Sequence, residues 1–323
     1  MVTIDCMVQS PNHKRIDEID WLKFVFILLM IAFHLVYIGD TYPVAKRFVY
    51  TFHMPAFLLI SGYMINIRKS SSVFLRAMMW IAVPYLLVEA GYVIMASILP
   101  IREHIDCLNV CVFLDKLLLH PLGPYWYLHT LVLCGVSAFV VMHMPHVSRL
   151  SCFIVLGLIY GALSCLLGVL SLANGMYFLA GVIVRQCGIS FLSFFRPSWW
   201  SLPVILWLAS DTSNFDKSLP SGMLLVYLMI SLNLVIYPYI RGVYVRRCVL
   251  YVGRHTLLLL VFSPVFTILA KCYQPFLLSL EPSGMLFMFV SVAFAVLGSL
   301  GVGYVCDCLH LSPWIFGRQR VLL

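Results

Sequence analysis

Charge is what this sequence has least of. Its 21 basic and 13 acidic side chains make up 11% of 323 residues, where a soluble domain carries about 25%. A water-facing surface of ordinary size cannot be built from so few. The sequence also lacks a basic tail, an aromatic-interleaved basic patch, an internal repeat and a low-complexity tract. Its formal charge of +8 is spread between apolar runs. That spread argues against nucleic acid as a partner and for a topological use of the cations. No His/Cys set has zinc spacing, so no metal site is expected. The only close cysteine pairs are Cys107 with Cys111 and Cys306 with Cys308. Most of the eleven thiols, among them Cys134, Cys152 and Cys165, fall in apolar runs and are expected to be buried and unreactive. No cleavable signal peptide is expected either. The opening residues are polar and mixed, and the first apolar run, 21–38, is long enough to span.

What the sequence does have is apolar length: 62% of residues are hydrophobic and the mean hydropathy is +0.99. Lipid is the environment that accepts this much apolar surface. The pattern predicts an all-α, polytopic transmembrane helical bundle of about ten spans, with 1–323 forming a single integral-membrane domain. The spans fall near 20–38, 46–66, 73–98, 125–144, 150–169, 172–188, 198–210, 222–241, 249–270 and 284–305. The stretch 101–120 mixes Arg102, Glu103, Asp106, Asp115 and Lys116 with Leu, Val and Phe, which suggests an amphipathic helix on the membrane surface. With the N-terminus in the cytoplasm, fourteen Lys and Arg fall on inner segments and six on outer ones: Lys46, Arg47, Arg102, Lys116, Lys217 and Lys271. The positive-inside rule then puts both termini in the cytoplasm.

Ionisable groups inside a span are costly and usually serve a function. Lys23 and His34 in span one are eleven residues apart, nearly three helical turns, so they share a face about 16 Å apart along the axis. The alternating directions of the next three spans bring His53, Glu89 and then Trp126, Tyr127 and His129 to the depth of His34. This predicts a polar cavity at the outer end. A single buried His is often a hydrogen-bonded core residue, and Tyr and Trp at span ends often form an interfacial belt. His129 suits that reading. His34 stands apart, with a charged Lys on its face and a second His nearby.

The residues around these landmarks form a known pattern. Ile19-Asp20-Trp21-Leu22-Lys23, His34, Phe52-His53-Met54-Pro55-Ala56-Phe57 and Ser61-Gly62-Tyr63 resemble membrane acyltransferase family 3. These are integral-membrane O-acyltransferases of bacterial surface polysaccharides and related glycans, and the chain also looks like their fucose 4-O-acetylase-like branch. Phe74-Leu75-Arg76, Pro84-Tyr85, Tyr125-Trp126-Tyr127-Leu128, Phe178-Leu179-Ala180-Gly181 and Gly253-Arg254-His255-Thr256-Leu257 continue the resemblance in order. The chain departs from it twice. Lys23 replaces the commoner Arg, keeping the charge and losing the bidentate fork. Ser263-Pro264 stands where the ninth span commonly carries a His.

The resemblance implies transfer of an acyl group, acetyl foremost, from acyl-CoA to a hydroxyl of a carbohydrate or lipid-linked glycan acceptor. It also implies a bacterial cytoplasmic (inner) membrane. Acyl-CoA is a co-substrate, and no bound cofactor is expected. The hydroxyl needs a base and the oxyanion needs donors. His34 is the expected base, and His53 orients it, binds the acceptor or stabilises the oxyanion, with Lys23 completing the catalytic set. Arg68, Lys69 and Arg76, between spans two and three, are placed for the CoA phosphates, although plain topology would also explain them. Glu89, Trp126 and Tyr127 are the acceptor-binding candidates. Two rival classes remain at the level of sequence. A proton-coupled transporter would use the same buried His and Glu but should show paired halves, which are not evident. A non-catalytic glycan assembly protein would tolerate Ser263 and Lys23.

Overall fold

The computed structural model describes residues 15–98 and 103–322. Lys14 and Arg102 of the charge tally lie outside the described residues. The fold is all helical, as the apolar periodicity requires. Ten helices carry the chain back and forth: α1 (Asp17–His34), α2 (Pro43–Met64), α3 (Ser71–Ile98), α4 (Trp126–Met142), α5 (Arg149–Cys165), α6 (Leu172–Gln186), α7 (Ser201–Ala209), α8 (Pro220–Ile236), α9 (Thr256–Leu269) and α10 (Met285–Cys308). Among the described residues four stretches are long and apolar enough to cross a membrane by themselves: Ser71–Ile98, Gly123–Met142, Pro220–Tyr239 and Met285–Cys308. This is a multi-pass membrane protein.

Three expected spans differ in shape. The first breaks at Leu35, whose extended ψ of 112° separates α1 from the short helix Val36–Thr41. His34 therefore sits at the end of a helix and not within one. The seventh holds only nine helical residues, Ser201–Ala209, about 14 Å of helix, which is too short to span alone. The chain still crosses the bundle there. The Phe191 N–H, bonded to the Tyr63 hydroxyl, lies at one end, and the Thr212 carbonyl, bonded to Arg47, lies at the other. The ninth span is bent by 82° between Val243–Arg254 and Thr256–Cys272. Val243–Arg254, with Arg246, Arg247 and Arg254, is too polar to lie inside a bilayer. The 101–120 region is likewise less regular than expected: its helix runs only from Val110 to Leu118, capped by Asn109.

The close packing uses small residues. At the crossing of α2 and α6, a Cβ on Gly62 would collide with the Phe178 carbonyl, and one on Gly181 would collide with the Leu59 carbonyl. Two backbones approach this closely only through glycine, a recurrent device between membrane helices. Gly253 plays the same part against the Asp20 carbonyl, where Val243–Arg254 meets α1. The quoted Ser61-Gly62-Tyr63, Phe178–Gly181 and Gly253 landmarks are thus packing features. Cysteine burial is narrower than expected. Among the described residues Cys134, Cys152 and Cys306 are buried, whereas Cys165 and six others are exposed. In a bundle that faces lipid, an apolar run does not guarantee burial in protein.

Candidate active site

The α1 terminus and α2 bring two histidines together. His34 and His53 line one cavity of about 400 Å³, with Lys46, Arg47, Tyr50 and Thr51 of α2, Trp126 at the start of α4, and Asp216 and Lys217 from the loop before α8. Tyr50 lies between the imidazoles, its ring centroid 5.8 Å from that of His34 and 5.2 Å from that of His53.

Both rings are oriented alike. Nδ1 of His34 is 2.6 Å from the Met30 carbonyl, and Nδ1 of His53 is 2.7 Å from the Val49 carbonyl. A carbonyl only accepts, so each Nδ1 carries the hydrogen and each Nε2 of the neutral ring keeps its lone pair. The same bond to the carbonyl four residues back recurs at His143 and His255, with Nδ1 2.9 Å from Phe139 and 2.7 Å from Tyr251. It is therefore an ordinary property of helical histidine. The shared cavity is what distinguishes His34 and His53. His53 is 2% exposed and its Nε2 has no hydrogen-bond partner. A buried polar atom without a partner is uncommon and marks a place where another group belongs.

Two in-helix prolines, Pro55 and Pro264, add to the polar lining. Neither has an N–H, so the carbonyls of Thr51 and Leu260 lose their helical donors. Thr51 and Leu260 both line the cavity. The Ser263-Pro264 departure thus sits one turn from the site.

The other candidates are placed as follows. Trp126 lines the cavity, with the Lys217 ammonium 5.6 Å from its ring centroid. Tyr127 does not line it. Its hydroxyl is 2.8 Å from that of Ser61, and its ring packs on Phe57 in the core. Glu89 is fully buried outside the cavity, where one carboxylate oxygen accepts from the Leu122 N–H at 2.6 Å. It anchors the turn that delivers Tyr125 and Trp126. His129 accepts no such role in the cavity and lies 2.9 Å, through Nε2, from the Leu118 carbonyl. Lys23 stands at the opposite end of α1, held 2.7 Å from Asp20. Arg68, Lys69 and Arg76 also lie at that end, on the turn after α2 and the first turns of α3, with Arg68 and Arg76 exposed.

Sequence reasoning missed Lys46, Arg47, Tyr50 and Lys217, having treated the three cations as topology signals. For Lys46 and Tyr50 a signal existed: with His53 they fall at i, i+4 and i+7, one helical face. Lys217 comes from a distant loop, and no local period could place it. Its ammonium donates to Asn174 Oδ1 at 2.7 Å. Burial pushes it below the usual lysine range, with Asp216 pulling the other way.

The site is thus a cavity under two imidazoles in a membrane-embedded helical bundle. Comparison with known families makes this specific. Residues 16–306 match the acyltransferase domain of acyltransferase family 3, and the chain belongs to that family. No curated protein and no solved structure matches it.

Proposed function

We propose that the protein is an integral-membrane O-acyltransferase that moves an acyl group, acetyl foremost, from acyl-CoA to a hydroxyl of a surface glycan or its precursor. The observation that carries the reading is the cavity in which His34 and His53 both keep Nε2 available. The acceptor hydroxyl gives its proton to Nε2 of His34 as its oxygen attacks the thioester carbonyl. The C–S bond then breaks, and the imidazolium returns the proton to the leaving CoA thiolate. The products are an ester and free CoA. His53, one Tyr50 ring away, is placed to orient the acceptor by accepting a hydrogen bond from one of its hydroxyls through Nε2. Lys23 acts from a distance by holding the charge balance at the foot of α1.

The donor reaches the site from the cytoplasmic end, where Arg68, Lys69 and Arg76 meet the CoA phosphates. The interval between the levels of Lys23 and His34 is about 16 Å, which an extended pantetheine arm covers. Phe26 packs against both Phe52 and Phe57 in that interval, so donor entry requires these rings to move. Both termini are cytoplasmic in this reading, the membrane is a bacterial inner membrane, and the histidine cavity opens outward. The acceptor chemistry of the fucose 4-O-acetylase-like branch is one sugar-hydroxyl acylation compatible with the site. Membranes containing the protein should release CoA thiol from acetyl-CoA in the presence of glycan acceptor, and cells lacking the gene should lose a glycan ester. An unchanged ester pattern together with no thiol release would remove the reading.

A further inference from the structure

The cavity lining carries three cations, Lys46, Arg47 and Lys217, and one carboxylate, Asp216. Among the described residues none of the three cations forms an ion pair. The Asp216 carboxylate is itself engaged, accepting the Ser218 N–H at 2.8 Å. The two histidines add no countercharge when neutral. A concave site in which cations outnumber carboxylates three to one carries net positive charge and attracts a ligand of the other sign.

The position of Lys217 is built, not incidental. A Cβ on Gly222 would collide with the Asp216 carbonyl, so the loop backbone lies directly on α8 there. The Tyr177 hydroxyl donates to the Lys217 carbonyl at 2.8 Å. Asn174, 3% exposed, fixes the ammonium from the first turn of α6. Asn174 and Tyr177 are thus spent on orienting one lysine over Trp126 at the rim of the histidine cavity. On the other side the Arg47 guanidinium reaches the Thr212 carbonyl at 3.4 Å, and the Lys46 ammonium lies 5.8 Å from the Tyr50 ring centroid. Neither contact neutralises charge.

We infer that the acceptor is an acidic glycan, whose carboxylate or phosphate group is held by Lys46, Arg47 and Lys217 while a neighbouring hydroxyl faces His34 and His53. This rests on the acyl-transfer reading of the same cavity. Trp126 supplies the flat apolar surface against which a sugar ring stacks, and the Lys217 ammonium beside it meets the anionic substituent. A charge-assisted contact is stronger than a neutral one, so the cations select acidic over neutral sugars at this site.

The test uses the full chain in detergent, with glucose, glucuronate and glucose 1-phosphate as probes of ligand-induced thermal stabilisation. Acetyl transfer from labelled acetyl-CoA to neutral and uronate-containing oligosaccharides is measured alongside. Glucuronate or glucose 1-phosphate should stabilise at concentrations where glucose does not. Stabilisation by glucuronate alone assigns a carboxylate, and by both a general anion. Lys217→Gln should weaken the acidic probe about tenfold or more and raise the KM of the acidic acceptor more than that of acetyl-CoA. Lys217→Arg should restore most of the binding. If Lys217→Gln does not fold, the Lys46→Gln, Arg47→Gln pair carries the same expectation. Equal responses to all three sugars, or to none, would overturn the inference. So would a rise in acetyl-CoA KM alone, which would give the cations to the donor. Transfer without charge preference removes the anion site and leaves the acyltransferase. Cation-dependent binding of the acidic probe without transfer does the reverse.

Discussion

At the foot of α1 the buried Asp20 gathers Arg15 at 2.6 Å, Lys23 at 2.7 Å and Arg254 at 3.4 Å, while Asp17 takes Arg246 and Arg254, each at 3.5 Å. At the other end of the same bundle Lys46, Arg47 and Lys217 surround a cavity without an ion pair among the described residues. Both clusters are mostly basic, and composition alone makes them alike. The difference lies in what neutralises the charge. Where a carboxylate is already supplied from within the chain, the cations pin α1 to the amphipathic helix Val243–Arg254. Where the single carboxylate, Asp216, forms no ion pair with the three cations among the described residues, the cations are available to a ligand. Pairing, more than charge, separates a structural cluster from a recognition site.

The comparison can be broken first at the cavity. His53→Ala removes the unpartnered imidazole and should lower acyl transfer by about 10²-fold or more, toward the loss of a general acid–base group, with normal insertion. Residual activity near wild type would leave His53 as a core residue. At the paired end the expected loss is of stability. Asp20→Ala leaves three cations without their carboxylate, a change that costs about 3–5 kcal/mol when a fully buried pair is broken and less here, because Arg15 and Arg254 are solvent-exposed. A lower melting temperature and lower membrane yield, with near-normal activity per inserted molecule, would confirm the structural role. A specific loss of activity at normal stability would join the two ends functionally.

Smaller effects sharpen the same contrast. Replacing Arg68, Lys69 and Arg76 with Gln should weaken apparent acetyl-CoA affinity about tenfold per essential contact, since hydrogen bonds to charged groups contribute about 1.5–3 kcal/mol. Unchanged donor affinity would reduce these residues to topology signals. Lys23→Arg should be nearly silent in transfer assays, because the guanidinium keeps the pair with Asp20. Lys23→Ala should lower thermal stability and membrane yield more than activity per inserted molecule, as Asp20→Ala does.

The legible part of this fold was the part written in local periods. Apolar runs marked most helices, and the His34 and His53 positions stood out because an ionisable group inside a span is rare. The eleven-residue spacing from Lys23 placed His34 on a definite face, although the chain breaks just after it at Leu35. What stayed hidden depends on tertiary contact. The ring of Tyr127 turns into the core to reach Ser61, whereas its neighbour Trp126 faces the cavity, and adjacent aromatics in one motif give no hint of that division. Glu89 looked like a site residue by its cost, yet it lies outside the cavity, where the Leu122 N–H satisfies one of its carboxylate oxygens and leaves the other without a partner among the described residues. Lys217 joins the site through Asn174 and Tyr177 of α6 and the Gly222 contact of α8, three partners scattered along the sequence.

The central claim is that His34 is the base, and acyl transfer per correctly inserted molecule of His34→Asn and His34→Ala tests it most directly. Asparagine can keep a core hydrogen bond but cannot accept a proton near neutral pH. If His34 is the base, both variants fall by about 10²–10⁴-fold while inserting and folding as the parent does. Near-normal specific activity in His34→Asn would contradict the account and leave His53 as the imidazole to be tested for that role.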